Sequence, residues 1–333
     1  MKRKQTTIED VAALAGVSRQ TVSRALNDRD IVAEATRQRV LSAVEELEYR
    51  PSKVARALVT RRTETVGLVV GDIANPFFPE VARGVVDTAQ ARGYNVFLCN
   101  SDGDVEQEAC ILHSMADHAV DGVIIYPGFG GGDNLRAFAE HRAPLVAINC
   151  FFDYPGASRV MIDTRRGAKL AVNYLIDKGH TAIGMLAGQA PSLSLMRRVR
   201  GYRDALMAHG LPVVTEWILP GSPVVARGVE STRQLLTQYP QITAIFAYND
   251  LLAVGAMQAC QELGRCVPDD CAVVGFDDIP LAAMLAPPLT TVGVDTYELG
   301  RQAMSRLLDM LDSPGTTFPP VYLNVELVIR ESA

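Results

Sequence analysis

TIEDVAALAGVSRQTVSRALN, residues 7–27, encodes two short helices with a turn of only a few residues between them. Thr7 can cap the first helix, and Asp10, three positions on, can reach back in a variant of the capping box. Ile8, Val11, Ala12 and Leu14 are expected on its inner side, and Gly16 stops it. Ser18 then caps a second helix running from Arg19 to about Leu26. At about 100° per residue, Arg19, Gln20, Ser23 and Arg24 share an outward arc, while Val22, Ala25 and Leu26 turn toward the first helix. Two helices joined this tightly, with Gly in the turn, read as a helix-turn-helix. The outward arc offers side chains that match base edges: Arg forks for guanine and an amide for adenine.

Outward from this stretch, a third helix from about Thr36 to Leu47 completes a small all-α head, with Val40, Leu41, Val44 and Leu47 inward. Tyr49-Arg50-Pro51 ends it, which bounds the head at residues 1–50. Ser52 can cap a further helix to about Val59, with Val54, Ala55 and Leu58 on one face. About eight residues fall below the length at which a helix holds alone in water. This 51–63 hinge is therefore expected to fold only against a partner surface.

From Glu64 the pattern changes to short apolar runs alternating with amphipathic stretches. The runs are VGLVV (66–70), YNVFLC (94–99), GVIIY (122–126), PLVAIN (144–149), AIGMLA (182–187), AIFAY (244–248) and AVVGF (272–276). Helical intervals fall at 79–92, 104–119, 166–178, 196–209 and 250–263. Such alternation predicts parallel sheets with helices on both faces. The nine or ten strands expected are too many for one sheet, so the α/β body should have two lobes, with ligand between them at the carboxyl ends of strands. Asp72, Phe77 and Phe78, Asn149, Asn249 and Asp277 follow such strands, and Arg198 opens a helix. Asp250 and Asp278 are read as caps of the segments after them.

TIEDVAALAGVSRQTVSRALN, followed by YRPSKVARAL and VGLVVGDIANPFF, resembles the lactose/galactose repressor (LacI/GalR) family over essentially the whole chain. The resemblance implies a transcriptional regulator, most simply a repressor, that binds a pseudo-palindromic operator as a homodimer under allosteric control by a small effector. The candidate DNA-binding residues are Thr7, Ser18, Arg19, Gln20, Thr21, Ser23, Arg24, Asn27, Lys53, Val54, Ala55, Arg56 and Leu58. Leu58 of each subunit would wedge into a central minor-groove step, with Lys53, Arg56, Arg61 and Arg62 on phosphates. The body would take the periplasmic-binding-protein-like fold. Its first lobe would hold about 64–162 and 292–321, its second about 163–291 and 322–333, and the chain would cross between them near 162, 292 and 321. Arg198 and Asp277 match the family's effector-binding arginine and aspartate, and Asn249 a further polar contact. Where several relatives place a tryptophan on the sugar, this chain has Ser222-Pro223-Val224-Val225, so a sugar, a purine and a sugar phosphate all stay open as effectors. The dimer interface would involve the helix after Phe77 and the one near 104–119. Only Glu331-Ser332-Ala333 follow the last strand, without a heptad tail, so a dimer is expected.

Charge agrees with this division. Residues 1–62 hold 13 Lys+Arg against 8 Asp+Glu, and the rest hold 19 against 30. A basic head suits phosphate contact, whereas an acidic body is repelled by the polyanion. MKRKQTTIED has no apolar stretch behind its basic residues, so a cytoplasmic location is expected. Six cysteines without CxxC spacing, and no clustered histidines, call for neither metal nor cofactor. Gly130-Gly131-Gly132 lacks the Walker lysine, and neither a GxSxG elbow nor HExxH occurs. The adjacent Asp277-Asp278 lack a partner carboxylate suited to glycoside hydrolysis. An enzyme is therefore not expected. The rival class is a stand-alone transport or sensing protein, which the head argues against.

Overall fold

The computed structural model describes residues 6–27, 32–49, 62–128, 132–141, 143–189 and 192–333. Lys53, Val54, Ala55, Arg56 and Leu58, named above for the hinge, lie outside the described residues, as does the side chain of Asn27. The chain forms two units, residues 1–63 and 64–333.

In the first unit, α1 (Ile8–Ala15) begins with the expected reciprocal cap. Thr7 N–H donates to Asp10 Oδ2 at 2.8 Å, and Asp10 N–H donates back to Thr7 Oγ1 at 3.4 Å. Gly16 ends the helix at φ 65°, a left-handed conformation that glycine adopts without strain. α2 (Arg19–Asn27) starts on Ser18, whose Oγ accepts from Thr21 N–H at 3.1 Å. α3 (Glu34–Glu46) begins earlier than Thr36, helped by a Gln38 to Glu34 bond of 2.7 Å. Val11, Ala12, Ala15, Val22, Ala25, Val40 and Ala43 form the buried centre. Two expected core residues fall outside it. Leu14 is 47% exposed, because Ala15 rather than Leu14 lies on the arc shared by Ile8, Val11 and Ala12. Leu41 is half-buried and outside the cluster, its place taken by Ala43.

The second unit contains two six-stranded sheets. The first holds β1 (Thr65–Val70), β2 (Asn95–Asn100), β3 (Gly122–Ile125), β4 (Leu145–Ile148), β5 (Ala157–Ile162) and β11 (Val321–Leu323), in the order β2-β1-β3-β4-β5-β11. The second holds β6 (Ile183–Ala187), β7 (Ile218–Pro220), β8 (Ala244–Ala247), β9 (Ala272–Asp277), β10 (Thr290–Gly293) and β12 (Glu326–Val328), in the order β7-β6-β8-β9-β10-β12. Every pairing is parallel except β10 with β12. The central strands β3, β4, β8 and β9 are buried along their whole length, as parallel strands covered on both faces must be. The covering helices are α4 (Phe77–Ala91), α5 (Val105–Asp117), α6 (Gly132–His141), α7 (Thr164–Asp177), α8 (Leu193–Ala208), α9 (Val225–Gln238), α10 (Asp250–Glu262) and α11 (Thr296–Asp312).

The chain passes between lobes three times. β5 belongs to the first sheet, and α7 behind it packs on the second. α11 returns to pack on α4 and the first sheet, and β12 goes back to the second. The expected lobe boundaries at 292 and 322 need correction. Val292 and Gly293 still pair with Phe276 and Asp277 of β9. Tyr322 and Leu323 still pair with Met161 and Ile162 of β5, so the last crossing falls at Asn324. Among the described residues, twelve strands stand against the nine or ten expected, since three-residue strands such as β7, β11 and β12 leave no apolar run to read.

Candidate effector cleft and nucleic-acid face

On α2, Arg19, Gln20 and Arg24 are exposed, and Ser23 is half-buried. Arg19 Nη1 lies 2.9 Å from Glu9 Oε1, both side chains well exposed. Three other candidates do local work. The Thr7 hydroxyl is 2.8 Å from Asp10 Oδ2, and Ser18 Oγ is 2.9 Å from Thr21 Oγ1. They hold the ends of α1 and α2, and α2 then presents the Arg and Gln side chains.

In the second unit the strand ends of both lobes enclose a cleft of roughly 600 Å³, within the range of small-molecule sites. Asp72, Phe77, Phe78, Arg198, Asn249 and Asp277 all line it. Asp72 follows β1 and accepts from Ala74 N–H at 2.9 Å. Asn75 Oδ1 accepts from Phe77 N–H at 3.0 Å, which sets the start of α4. Phe77, Phe78 and Tyr126 meet edge to face, with centroids 5.3 to 6.1 Å apart, the arrangement that aromatic quadrupoles favour.

Arg198 is the best-held side chain of the site. Its guanidinium lies 3.7 Å from the Phe276 ring centroid and 4.2 Å from that of Tyr248. Nη2 donates to Asp277 Oδ1 at 3.1 Å, and Nη1 donates to the Tyr248 carbonyl. Burial pushes the Asp277 carboxyl up to about 6, with Arg198 pulling it down. Of the residues that line the cleft, Asp277 (φ 113°) and Asp102 (φ 52°) adopt positive φ at or just after strand ends. Such strain concentrates at ligand sites, where surrounding structure enforces it.

Asn149 does not line the cleft. It sits behind, buried, with Nδ2 donating to Ser194 Oγ at 2.5 Å and to Tyr126 OH at 3.3 Å. Asn249 lines the cleft but is also a cap: its Oδ1 accepts from Leu252 N–H at 3.0 Å, and Nδ2 donates to Pro223 O at 3.2 Å. The capping role expected of Asp250 therefore belongs to its neighbour. Asp250 is buried and accepts instead from Ile279 N–H at 2.9 Å and Thr291 Oγ1 at 2.5 Å. Burial, then the Asp277 charge, raises it to about 8. Asp278 likewise pairs with Arg330 at 2.7 Å. Sequence reading missed Tyr126 and Tyr248, although each closes a quoted apolar run, and it missed Gln189, Ser192 and the pair Asp102 and Asp104.

Comparison with known proteins accords with this geometry. Residues 7–52 match the model of bacterial regulatory proteins of the lacI family, and residues 172–333 match a periplasmic binding protein-like domain. The chain is 35% identical over 327 residues to the HTH-type transcriptional repressor PurR of Photobacterium profundum, covering 98% of both. It is also 35% identical over 328 residues to the ribose operon repressor of Haemophilus influenzae, again covering 98% of both. Among solved structures, the Lac repressor dimer bound to operator and an anti-inducer superposes with a TM-score of 0.87 at 28% identity, covering 99% of both chains. Among the described residues, no helix is long and apolar enough to cross a membrane. With an exposed recognition helix in one unit, a two-lobed cleft in the other and these relatives along its length, the chain belongs to the LacI family of DNA-binding transcriptional regulators and is not an enzyme.

Proposed function

We propose that this repressor acts in the cytoplasm as a homodimer on a pseudo-palindromic operator, and that a neutral sugar in the cleft sets its affinity. Arg19, Gln20 and Arg24 read base edges, because they stand exposed on one face of a helix whose start is fixed by Ser18. Two heads on a two-fold axis match two half-sites. Lys53, Val54, Ala55, Arg56 and Leu58 carry the hinge role, and Asn27, Ser23 and Thr21 support the recognition helix. Effector acts by binding one degree of lobe closure better than the other, since only differential affinity shifts an equilibrium.

One observation carries the effector class. Asp72, Asp102, Asp104 and Asp277 line the cleft with Arg198, and Arg198 is already paired with Asp277. That balance repels phosphate and suits hydroxyl groups, which donate to carboxylates and accept from guanidinium. Phe77, Phe78 and Tyr126 supply an apolar wall on the first lobe, while the one ring from the other lobe, Tyr248, already carries the Arg198 guanidinium 4.2 Å from its centroid, and Pro223 and Val224 add no aromatic face. A purine, the reading suggested by relatives named PurR, gains most from rings on both faces. Thermal unfolding with D-ribose, cellobiose, their phosphate esters and free purine bases tests the proposal, because a ligand of the native state raises the melting temperature. A shift with a neutral sugar supports it. A shift with purines or phosphate esters alone rejects it.

A further inference from the structure

The first-lobe wall of the cleft comes from the segments after β1, β2 and β3, and one carboxyl group lies behind two of them. Glu108, early in α5, is fully buried. Its Oε2 accepts from Gly128 N–H at 2.9 Å, while Oε1 is buried without a hydrogen-bond partner. Burial raises its pKa, and the Gly128 N–H partly offsets that. A buried carboxyl with one oxygen unpaired costs stability that an aliphatic side chain would not. Packing alone therefore gives no reason for it.

Its surroundings do. Asp104 caps α5 by accepting from Glu106 N–H at 2.8 Å and Gln107 N–H at 2.9 Å, so the segment after β2 is fixed to the helix that carries Glu108. Gly103 and Gly128 approach so closely that a Cβ on Gly128 would stand 2.6 Å from the Gly103 carbonyl oxygen. Asn134 Nδ2, on α6, donates to Val105 O at 2.8 Å. Asp102, Asp104 and Tyr126, which line the cleft, thus belong to two segments pressed together at glycines and joined by one carboxyl group.

We propose that Glu108 is a positioning residue of the effector cleft: through the Gly128 N–H it locks the segment after β3 against the one after β2, and so sets where Asp102, Asp104 and Tyr126 meet the ligand. The proposal rests on the sugar-binding reading of the cleft. A displacement of about 1 Å in such a first layer is enough to lose most of its binding advantage.

The test uses the full chain, with calorimetric binding of D-ribose and hydrogen exchange of the Gly128 amide read by NMR. Glu108→Leu removes the acceptor, Glu108→Gln keeps it, and Gly128→Ala forces the segments apart with Glu108 intact. Glu108→Leu should speed Gly128 exchange and weaken D-ribose binding roughly tenfold, and Gly128→Ala should weaken it similarly. Glu108→Gln should restore exchange and affinity to within about threefold of the parent. Parent-like affinity in folded Glu108→Leu, or a loss in Glu108→Gln as large as in Glu108→Leu, overturns the proposal. If Glu108→Leu does not fold, parent-like affinity in Gly128→Ala overturns it. Should the parent bind neither D-ribose nor cellobiose, the sugar reading fails by itself, and unchanged Gly128 exchange in Glu108→Leu would still reject the clamp.

Discussion

Arg19, Gln20 and Arg24 stand exposed on a single nine-residue helix, whereas Arg198 and Asp277 meet in a buried pair between residues 79 positions apart. The first arrangement leaves its side chains in water, where on the proposed function duplex DNA would meet them, so little of the head's stability depends on them. The second uses its functional groups as part of the core, so ligand chemistry and folding energy are inseparable there. Substitutions should therefore separate function from stability cleanly in the head and poorly in the cleft.

The largest effect should come from the head. Arg24→Ala removes one base-edge fork from each half-site, and each fork is worth about 1–3 kcal/mol. Two copies make the loss of operator affinity on the order of 100-fold or more by fluorescence anisotropy. The melting transition of the body and its shift with effector should stay where they were. Operator affinity within about threefold of the parent would remove Arg24 from the recognition face.

Asp277→Ala should instead damage both properties. It leaves the Arg198 guanidinium buried without its carboxylate partner, a change that typically costs about 3–5 kcal/mol. Response of operator binding to effector should vanish as well. The double replacement Arg198→Met with Asp277→Leu sharpens the point. Removing both charges should recover most of the stability in urea denaturation, while the effector response stays lost. A double variant that regains the response would show that the pair is structural only.

How much of this was legible in the sequence follows the same contrast. The head was readable almost residue by residue, because its cap, turn and recognition face lie within Thr7–Asn27 and obey helical periodicity. The errors at Leu14 and Leu41 came from small alanines, Ala15 and Ala43, filling sites where a larger residue was expected. In the body, strand ends led to Asp72 and Asp277 and a helix start to Arg198, and all three line the cleft. Asn149 and Asn249 share a residue type and a strand-end position, yet one sits behind the cleft and the other lines it while capping α10. Those differences depend on partners that local pattern does not encode: Ser194 and Tyr126 for one, Pro223 for the other. Glu108 reads as an ordinary charge near the start of a helix, and only the approach of Gly128 reveals it.

A smaller effect, in pH dependence, should distinguish the regions again. Burial holds Asp277 at about 6 and Asp250 at about 8, both above the ordinary value of 3.8. Between that value and its raised one, each group binds more proton in the folded chain than in the unfolded chain. Stability is then greatest on the acid side of this window and falls as pH rises through 6 and then 8, opposite to a salt-bridged surface carboxylate. Urea midpoints of the body should decline from pH 5.5 to 9, and Asp250→Asn should flatten the upper part. In the head, Glu34 is shifted the other way by its Gln38 hydrogen bond. Its contribution is complete above 4.5 and disappears only in acid. The head's transition should be level over the same range.

The smallest effect is the most informative about how the head works. Ser18 Oγ accepts from Thr21 N–H at 3.1 Å, and loss of such a cap costs about 1 kcal/mol. Ser18→Ala should lower head stability by about that amount, measured by far-ultraviolet circular dichroism. α2 has only nine residues, so fraying its first turn also loosens Arg19 and Gln20, and operator affinity should fall several-fold. Ser18→Asp separates two causes of that fall. Aspartate caps as well as serine and suits the positive end of the helix dipole, so folding should recover fully. A carboxylate beside the phosphate backbone is repelled, so operator affinity should stay low and worsen as salt is reduced. Recovery of both in Ser18→Asp would mean that the start of α2 never approaches a phosphate, and the recognition face would have to be turned away from Ser18 toward Arg24.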